Sequence, residues 1–95
     1  MNKMIGGMIN MNKIGISEGS FEWALMLIKN GSKMKRKGWN GQDQYIELVY
    51  NIKYTNSNGE ECSSNEAIAF NGNSGVQVGW LASQADMLAN DWEMI

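Results

Sequence analysis

The chain has 95 residues, enough for one domain, and its net charge of -2 argues against a general affinity for nucleic-acid phosphate. It has no histidine and a single cysteine, Cys62, which excludes a histidine general base, an internal disulfide and a histidine–cysteine metal cage. No apolar run approaches the roughly 20 residues that span a bilayer. We therefore expect no metal, no cofactor, no nucleic-acid partner and no membrane partner.

The first sixteen residues are predicted to be an extension rather than a signal peptide. Glycine, asparagine and lysine residues interrupt their apolar run: Gly6, Gly7, Asn10, Asn12 and Lys13. A secretory signal needs a continuous apolar segment followed by a small-residue cleavage site. We interpret residues 1–16 as a frayed tail, or as a strand that docks only in an oligomer, and residues 17–95 as a single domain.

The stretch SFEWALMLIKNG predicts a helix over residues 21–30, with Ser20 as its N-cap and Gly31 as the left-handed residue that ends it. The spacing of helical periodicity puts four apolar residues on one face: Phe21, Ala24, Leu25 and Ile28. The opposite side is apolar as well, with Trp23, Met26 and Leu27. A helix that is apolar all round is buried on more than one side. We therefore predict a homo-oligomer built on this helix, with a very tight monomer core as the alternative.

The next stretch, SKMKRKGW, alternates with the period of a strand, so that Met34 and Arg36 share one side. If Met34 points to the core, Arg36 points the same way. An inward arginine needs an anionic partner, either from the protein or from a ligand. The alternative is that Arg36 lies near the end of the strand and reaches water.

Further along, QYIELVYNIKY, residues 44–54, predicts one continuous antiparallel strand. Its core face would carry Ile46, Leu48, Tyr50, Ile52 and Tyr54. NSNG then predicts a hairpin turn, because asparagine and glycine tolerate positive φ. EAIAF and VQVGW predict two shorter strands joined through the glycine-rich loop NGNSG.

The final stretch, WLASQADMLANDWEMI, predicts a short helix followed by a terminal strand. Ser83 is the expected N-cap and Asp86 lies at the third helical position, where it can complete a capping box. Leu81, Ala85 and Leu88 line up on one side of this helix. The fold class expected is α+β, an antiparallel β-sheet with one N-terminal helix and one short C-terminal helix.

Two tryptophans stand beside polar loops and form the candidate binding residues. Trp39 lies in a glycine-flanked turn after basic residues, and Trp80 ends a predicted strand just before Ser83 and Gln84. An indole face is a good platform for a base, and an arginine offers a fork for phosphate. The alternative is that both tryptophans are residues at the rim of the core. The sequence carries no catalytic motif of the kinds that use a nucleophile, a phosphate loop or metal ligands.

Two motifs together resemble one known family. RKGWNG, residues 36–41, and WLASQADMLANDWEMI, residues 80–95, are similar to the beginning and the end of the small phage proteins called Thoeris anti-defence proteins of the second type. The resemblance covers residues 19–95, and residues 50–78 match less well.

The resemblance implies a role against Thoeris defence, in which a TIR-domain enzyme makes a cyclic ADP-ribose isomer as an alarm signal. It implies a sponge that binds and sequesters this signal without cleaving it, and therefore a protein that is not an enzyme. It also implies a homo-oligomer, a tetramer, with nucleotide pockets between subunits, acting in the cytoplasm of the infected bacterial host. Some members of the family also hold cyclic dinucleotides.

We place the predicted ligand pocket between subunits, around the two tryptophans. Its residues would be Arg36, Trp39, Asn40, Trp80, Ser83, Gln84 and Asp86. The indoles would pack on base or ribose, Arg36 would neutralise phosphate, and the polar groups of the helix start would bind phosphate or hydroxyl oxygens. The alternative for Asp86 is that it only completes the helix cap.

Two other functions stay open at this point. The chain could be a protein-interaction module that inhibits a host enzyme, with the tryptophans as interface anchors. It could also hydrolyse a nucleotide messenger, although the lack of histidine argues against this.

Overall fold

A computed structural model describes residues 15–41 and 43–95, so the predicted extension over residues 1–16 lies outside the described residues except for Gly15 and Ile16. The elements in chain order are α1 (Phe21–Lys29), β1 (Met34–Arg36), β2 (Tyr45–Val49), β3 (Lys53–Thr55), β4 (Glu61–Ser63), β5 (Ala67–Gly72), β6 (Gly75–Val78), α2 (Gln84–Leu88) and β7 (Trp92–Met94). The α+β class with an early helix and a short late helix is confirmed.

Within the described residues, five strands form one antiparallel sheet in the order β6-β5-β2-β1-β7, and β3 pairs with β4 in a separate hairpin. The terminal strand β7 therefore pairs with β1, the first strand of the chain, and Arg36 lies opposite Trp92. This pairing brings the end of the chain beside the turn that carries Trp39.

Helix α1 begins and ends as its sequence predicts. The Ser20 hydroxyl accepts from the backbone N–H of Trp23 at 3.2 Å. At the other end Gly31 has φ +97°, and the N–H groups of Gly31 and Ser32 donate to the carbonyls of Ile28 and Leu27. These two bonds satisfy carbonyl groups that the last helical turn leaves unpaired.

The core lies between α1 and one face of the sheet. Met34 and Ile46 are opposite each other on adjacent strands, and both are fully buried. From α1, Ala24 and Ile28 are fully buried against them, and Trp23 is 9 % exposed. Trp23 thus belongs to the core, although the helical spacing assigned it to the side opposite Ala24 and Ile28.

The continuous strand predicted over residues 44–54 is wrong. The chain leaves the sheet after Val49 and enters the separate hairpin at Lys53. Between them Asn51 has φ +56°, a left-handed conformation that asparagine tolerates better than other side chains. The turn carries Tyr50 and Tyr54 away from the core, and they are 68 % and 50 % exposed.

Helix α2 has the predicted capping box, but its predicted apolar side is not in the core of the described chain. The Ser83 hydroxyl accepts from the backbone N–H of Asp86, and the Asp86 carboxylate accepts from the N–H of Ser83, each at 3.1 Å. Leu81 and Leu88 are 88 % and 77 % exposed. None of the described helices is both long enough and apolar enough to cross a membrane.

Candidate functional site

Arg36 joins two segments that lie far apart in the sequence. It is the last residue of β1 and points to the side of the sheet that Met34 and Trp92 occupy. Its Nε donates to Asp91 Oδ1 at 2.8 Å and its Nη1 donates to Asp86 Oδ1 at 3.0 Å. The inward arginine therefore has anionic partners from the protein itself, one in α2 and one at the end of the α2–β7 connection.

Asp86 is the centre of the hydrogen-bond network. In addition to Arg36 and the helix cap, its carboxylate accepts from Trp39 Nε1 at 3.4 Å. Its backbone carbonyl accepts from Trp92 Nε1 at 2.9 Å. One residue of a short helix thus fixes both indole N–H groups and the guanidinium, in addition to completing the cap.

The second carboxylate, Asp91, fastens the turn that precedes Trp39. Its Oδ2 accepts from the backbone N–H of Gly38 at 3.1 Å, and its carbonyl accepts from the N–H of Lys37. With Arg36 on Oδ1, the carboxylate ties the end of β1, the turn and the start of β7 together. The sequence predicted Trp39 in this turn, and Asp91 is what holds the turn in place.

The ionic contacts shift the pKa of each member. Burial alone would raise the pKa of Asp86, but hydrogen bonds from Arg36, Ser83 and Trp39 outweigh burial and hold that pKa below its ordinary value. The hydrogen bond from Arg36, more than any other contact, lowers the pKa of Asp91. The same bonds, first to Asp91 and then to Asp86, raise the pKa of Arg36. All three groups are charged at neutral pH, which gives the network a net charge of -1.

Three tryptophans form an aromatic cluster above this network. Trp39 and Trp92 have ring centroids 5.3 Å apart, and Trp80 lies 6.3 Å from Trp39 and 6.4 Å from Trp92. All three pairs meet edge to face, which is a favoured geometry for aromatic rings. Phe70 extends the cluster, with its ring edge-on to Trp39 at 5.5 Å.

Trp39 and Trp80 are each half-buried and packed against the core, whereas Trp92 is only 3 % exposed. The two predicted site tryptophans thus lie at the rim of the core, as the alternative interpretation held. A rim position leaves part of each indole facing solvent, so core packing and ligand contact are compatible here.

The remaining predicted residues lie around the cluster. Asn40 is exposed and follows Trp39 in the turn, and Ser83 and Gln84 are exposed at the start of α2. The N–H groups of Ser83, Asp86 and Met87 are already bound within the capped helix start. The structure therefore unites Arg36, Trp39, Trp80 and Asp86, and uses Asp86 for the cap as well.

The family model described as the Thoeris anti-defense 2-like (Tad2-like) domain matches residues 19–95. The chain belongs to this family. The resemblance seen in the sequence is thereby confirmed, and the match supports a role against Thoeris defence. A search of curated proteins gives no match.

Sequence reasoning missed three residues of the site in this Tad2-like domain. Asp91, Trp92 and Phe70 are not among the pocket residues that the sequence predicts. Each enters the site through long-range pairing, since Arg36 lies opposite Trp92 and Phe70 lies opposite Ile46. The periodicity of a single helix or strand does not predict these contacts, because they join strands that lie far apart in the sequence.

The side chains of this arrangement include groups suited to binding a ligand. Within the described ranges, no group of three or more histidine, cysteine, aspartate or glutamate residues is placed to hold a metal ion. The two carboxylates of the network are both committed to one guanidinium, so neither is free in this geometry to take a proton from water. The partly exposed indoles are the groups of the Tad2-like domain best suited to contact a planar ligand.

Proposed function

We propose that the chain is a phage anti-defence sponge that binds and sequesters a cyclic ADP-ribose-type immune signal, with cyclic dinucleotides as further ligands, and does not cleave it. The observation that carries this proposal is the family match over residues 19–95, which spans the aromatic cluster and its ionic network. Its place of action would be the cytoplasm of the infected bacterium.

The proposed binding surface is the exposed part of the tryptophan cluster. Trp39 and Trp80 would pack on base or ribose, with Asn40, Ser83 and Gln84 supplying hydrogen bonds from the exposed positions around them. Stacking of a base on an aromatic side chain contributes about 1–3 kcal/mol. Because the cluster is fixed by hydrogen bonds from Trp39 and Trp92 to Asp86, little conformational freedom would be lost on binding.

The geometry changes the role that we assign to Arg36. A phosphate at its guanidinium would have to share it with two carboxylates, both closer than 3.1 Å. We therefore propose that Arg36 and Asp86 act mainly by positioning the cluster. Contact of Arg36 with a phosphate would use its second terminal nitrogen, Nη2, which lies near the turn at Gly38.

The same proposal includes assembly into a homo-oligomer, with a tetramer as the expected form and the pocket between subunits. Large apolar side chains support this, since Leu81 before α2 and Leu88 at its last position are mostly exposed. A groove of about 460 Å³ beside α1 is lined by Leu25, Leu48 and Ile68, among others. Light scattering should give a multiple of 10.6 kDa at micromolar concentration, and a value near the monomer mass would contradict the assembly.

The test of the function is a thermal-shift screen with cyclic ADP-ribose isomers and cyclic dinucleotides. We expect at least one to raise the melting temperature, since a ligand at 100 times its Kd stabilises a protein by about 2.7 kcal/mol. Bound ligand released by heating should be intact by chromatography. Linear product accumulating over hours would show an enzyme, and the absence of any shift would favour the protein-interaction module.

A further inference from the structure

A groove at the turn end of the β5–β6 hairpin adjoins the aromatic cluster. It has a volume of about 420 Å³. Its polar side chains all carry no charge: Asn40, Gln44, Asn73, Ser74 and Gln77. Phe70 lines it as well, and the Phe70 ring is in edge contact with Trp39. The groove is therefore continuous with the proposed binding surface through these two rings.

Glycines give this end of the hairpin its shape. Gly72 and Gly75 lie opposite each other where the two strands end. The Phe70 ring lies over Gly72, where a Cβ atom would collide with ring atom Cε2. Gly75 has φ +120°, which side chains rarely adopt. The position of the Phe70 ring therefore depends on Gly72, and the backbone conformation of the turn depends on Gly75.

The register of the sheet directs Gln77 to the same side as the cluster. Gln77 lies opposite Phe70, and Phe70 lies opposite Ile46 of the core. Residues directly opposite each other in an antiparallel sheet share a face. The Gln77 amide therefore belongs to the face that carries the tryptophans, whereas Val76 belongs to the other.

The groove offers carboxamide groups that the chain does not itself use. Each carboxamide has one acceptor and two donors. In the ranges 15–41 and 43–95, no intrachain hydrogen bond engages the side chains of Asn40, Gln44, Asn73 or Gln77. Such groups match a neutral ring edge with adjacent donors and acceptors better than they match a phosphate.

We propose that this groove binds the purine base of the ligand and determines which base is accepted. The inference rests on the proposed function and specifies how one part of the ligand is recognised. A carboxamide can pair with two adjacent positions of an adenine edge at once. The groove volume is at the low end of small-molecule sites, which suits one base with its ribose rather than a whole cyclic dinucleotide.

The experiment compares the cyclic ADP-ribose isomer giving the largest thermal shift with its counterpart carrying hypoxanthine in place of adenine. Calorimetry would measure both on the parent chain, on the double variant Asn73→Ala/Gln77→Ala and on the control Val78→Ala. Val78 follows Gln77 on the same strand, lies on the opposite face and does not line the groove. All the substituted residues are exposed. Melting temperatures equal to that of the parent chain, measured without ligand, would establish that the variants fold.

We expect the double variant to bind the adenine ligand about 5- to 150-fold more weakly and to lose most of its preference between the two bases. The control should keep both the affinity and the preference of the parent. A double variant with the affinity and base preference of the parent would contradict base recognition by the groove but not the proposed sponge function. An equal loss of affinity for both ligands would have the same meaning. A parent chain that binds none of the tested nucleotides would overturn both proposals.

Discussion

The two ends of the central sheet differ in what holds them. At the β1–β7 end, Arg36 reaches two carboxylates and Asp86 accepts from two indoles. At the β5–β6 end, Val76 and Val78 are 63 % and 47 % exposed. Asn71 of β5 donates to the Tyr45 hydroxyl at 2.8 Å, but the side chains of Asn73 and Gln77 make no hydrogen bond to any other described residue. One end is determined by the chain's own contacts, and the other presents groups that a ligand or a second copy can use.

This difference teaches how a small domain can be rigid and selective at once. The β1–β7 end fixes Trp39 and Trp92, and Trp80 packs against both, so that the stacking surface exists before a ligand arrives. The β5–β6 end can vary in sequence at little cost to the fold, because few of its side chains are buried. Variation there would alter ligand choice and leave the scaffold unchanged.

The largest effect should come from Asp86→Ala at the β1–β7 end. The change leaves Arg36 with one carboxylate, removes the acceptor of Trp39 Nε1 and opens the helix cap. We expect a loss of about 3 kcal/mol in the free energy of unfolding, somewhat less than for a fully buried pair. Thermal denaturation should show a fall of roughly 12–24 °C in melting temperature for a chain of this size.

Gln84→Ala is the matched control, since Gln84 is exposed in the same short helix. It should shift the melting temperature by no more than about 2–4 °C. If the two variants melt alike, Asp86 is not the centre of the network.

Trp39→Ala should produce the next largest effect, and on two properties. Loss of three edge-to-face contacts should lower the free energy of unfolding by about 2 kcal/mol. Affinity for the cyclic nucleotide should fall about 5- to 150-fold, if one stacked base is what the indole holds. Calorimetry and thermal melting on the same sample separate the two.

The oligomer should survive this change, because we assign assembly to α1 rather than to the turn. Trp39→Phe serves as the companion variant, since it keeps an aromatic ring but lacks the N–H that reaches Asp86. If Trp39→Ala binds the signal as tightly as the parent, the pocket lies elsewhere. If it dissociates the oligomer, the tryptophan is a structural anchor.

Much of the fold follows from local sequence signals. The caps at Ser20 and Ser83 and the helix end at Gly31 depend on residues within about four positions of each other, and all three are confirmed. The NSNG turn and the glycine-rich hairpin are confirmed for the same reason. By contrast, the alternation of residues 44–54 gave little warning of the break, because one left-handed asparagine leaves the pattern unchanged.

The site was harder to predict than the fold. The sequence indicated that Arg36 needs an anion, but its partners lie 50 and 55 residues away. Only the register between β1 and β7 brings Asp91 and Trp92 to the arginine. Residue types identified Trp39 and Trp80 as site candidates, and the contact between them depends on tertiary packing.

A smaller effect should follow from pH. The pKa values of Asp86 and Asp91 are lower in the folded chain than the ordinary value of about 3.9. Their contribution to stability is therefore fully present above about pH 4 and is lost as the pH falls through the folded pKa values. Asp91→Asn removes one of the two titrating groups. The melting temperature of the parent should fall more steeply below pH 4 than that of the variant. If the two plots of melting temperature against pH are parallel, the ion pair between Asp91 and Arg36 does not contribute to the pH dependence of stability.

The smallest effect on stability is expected at the β5–β6 end. Substitutions there test most directly whether the two ends of the sheet are held differently. Gln77→Ala and Val78→Ala remove exposed side chains from the edge strand β6, so neither change opens a cavity or leaves a buried polar group without a partner. Each should change the free energy of unfolding by less than about 0.5 kcal/mol, or roughly 2–4 °C in melting temperature. Gln77→Ala should nevertheless weaken ligand binding, while Val78→Ala, which lies outside the groove, should not. A stability loss above about 1 kcal/mol for Gln77→Ala would mean that its amide supports the hairpin, and the two ends of the sheet would then be held in the same way.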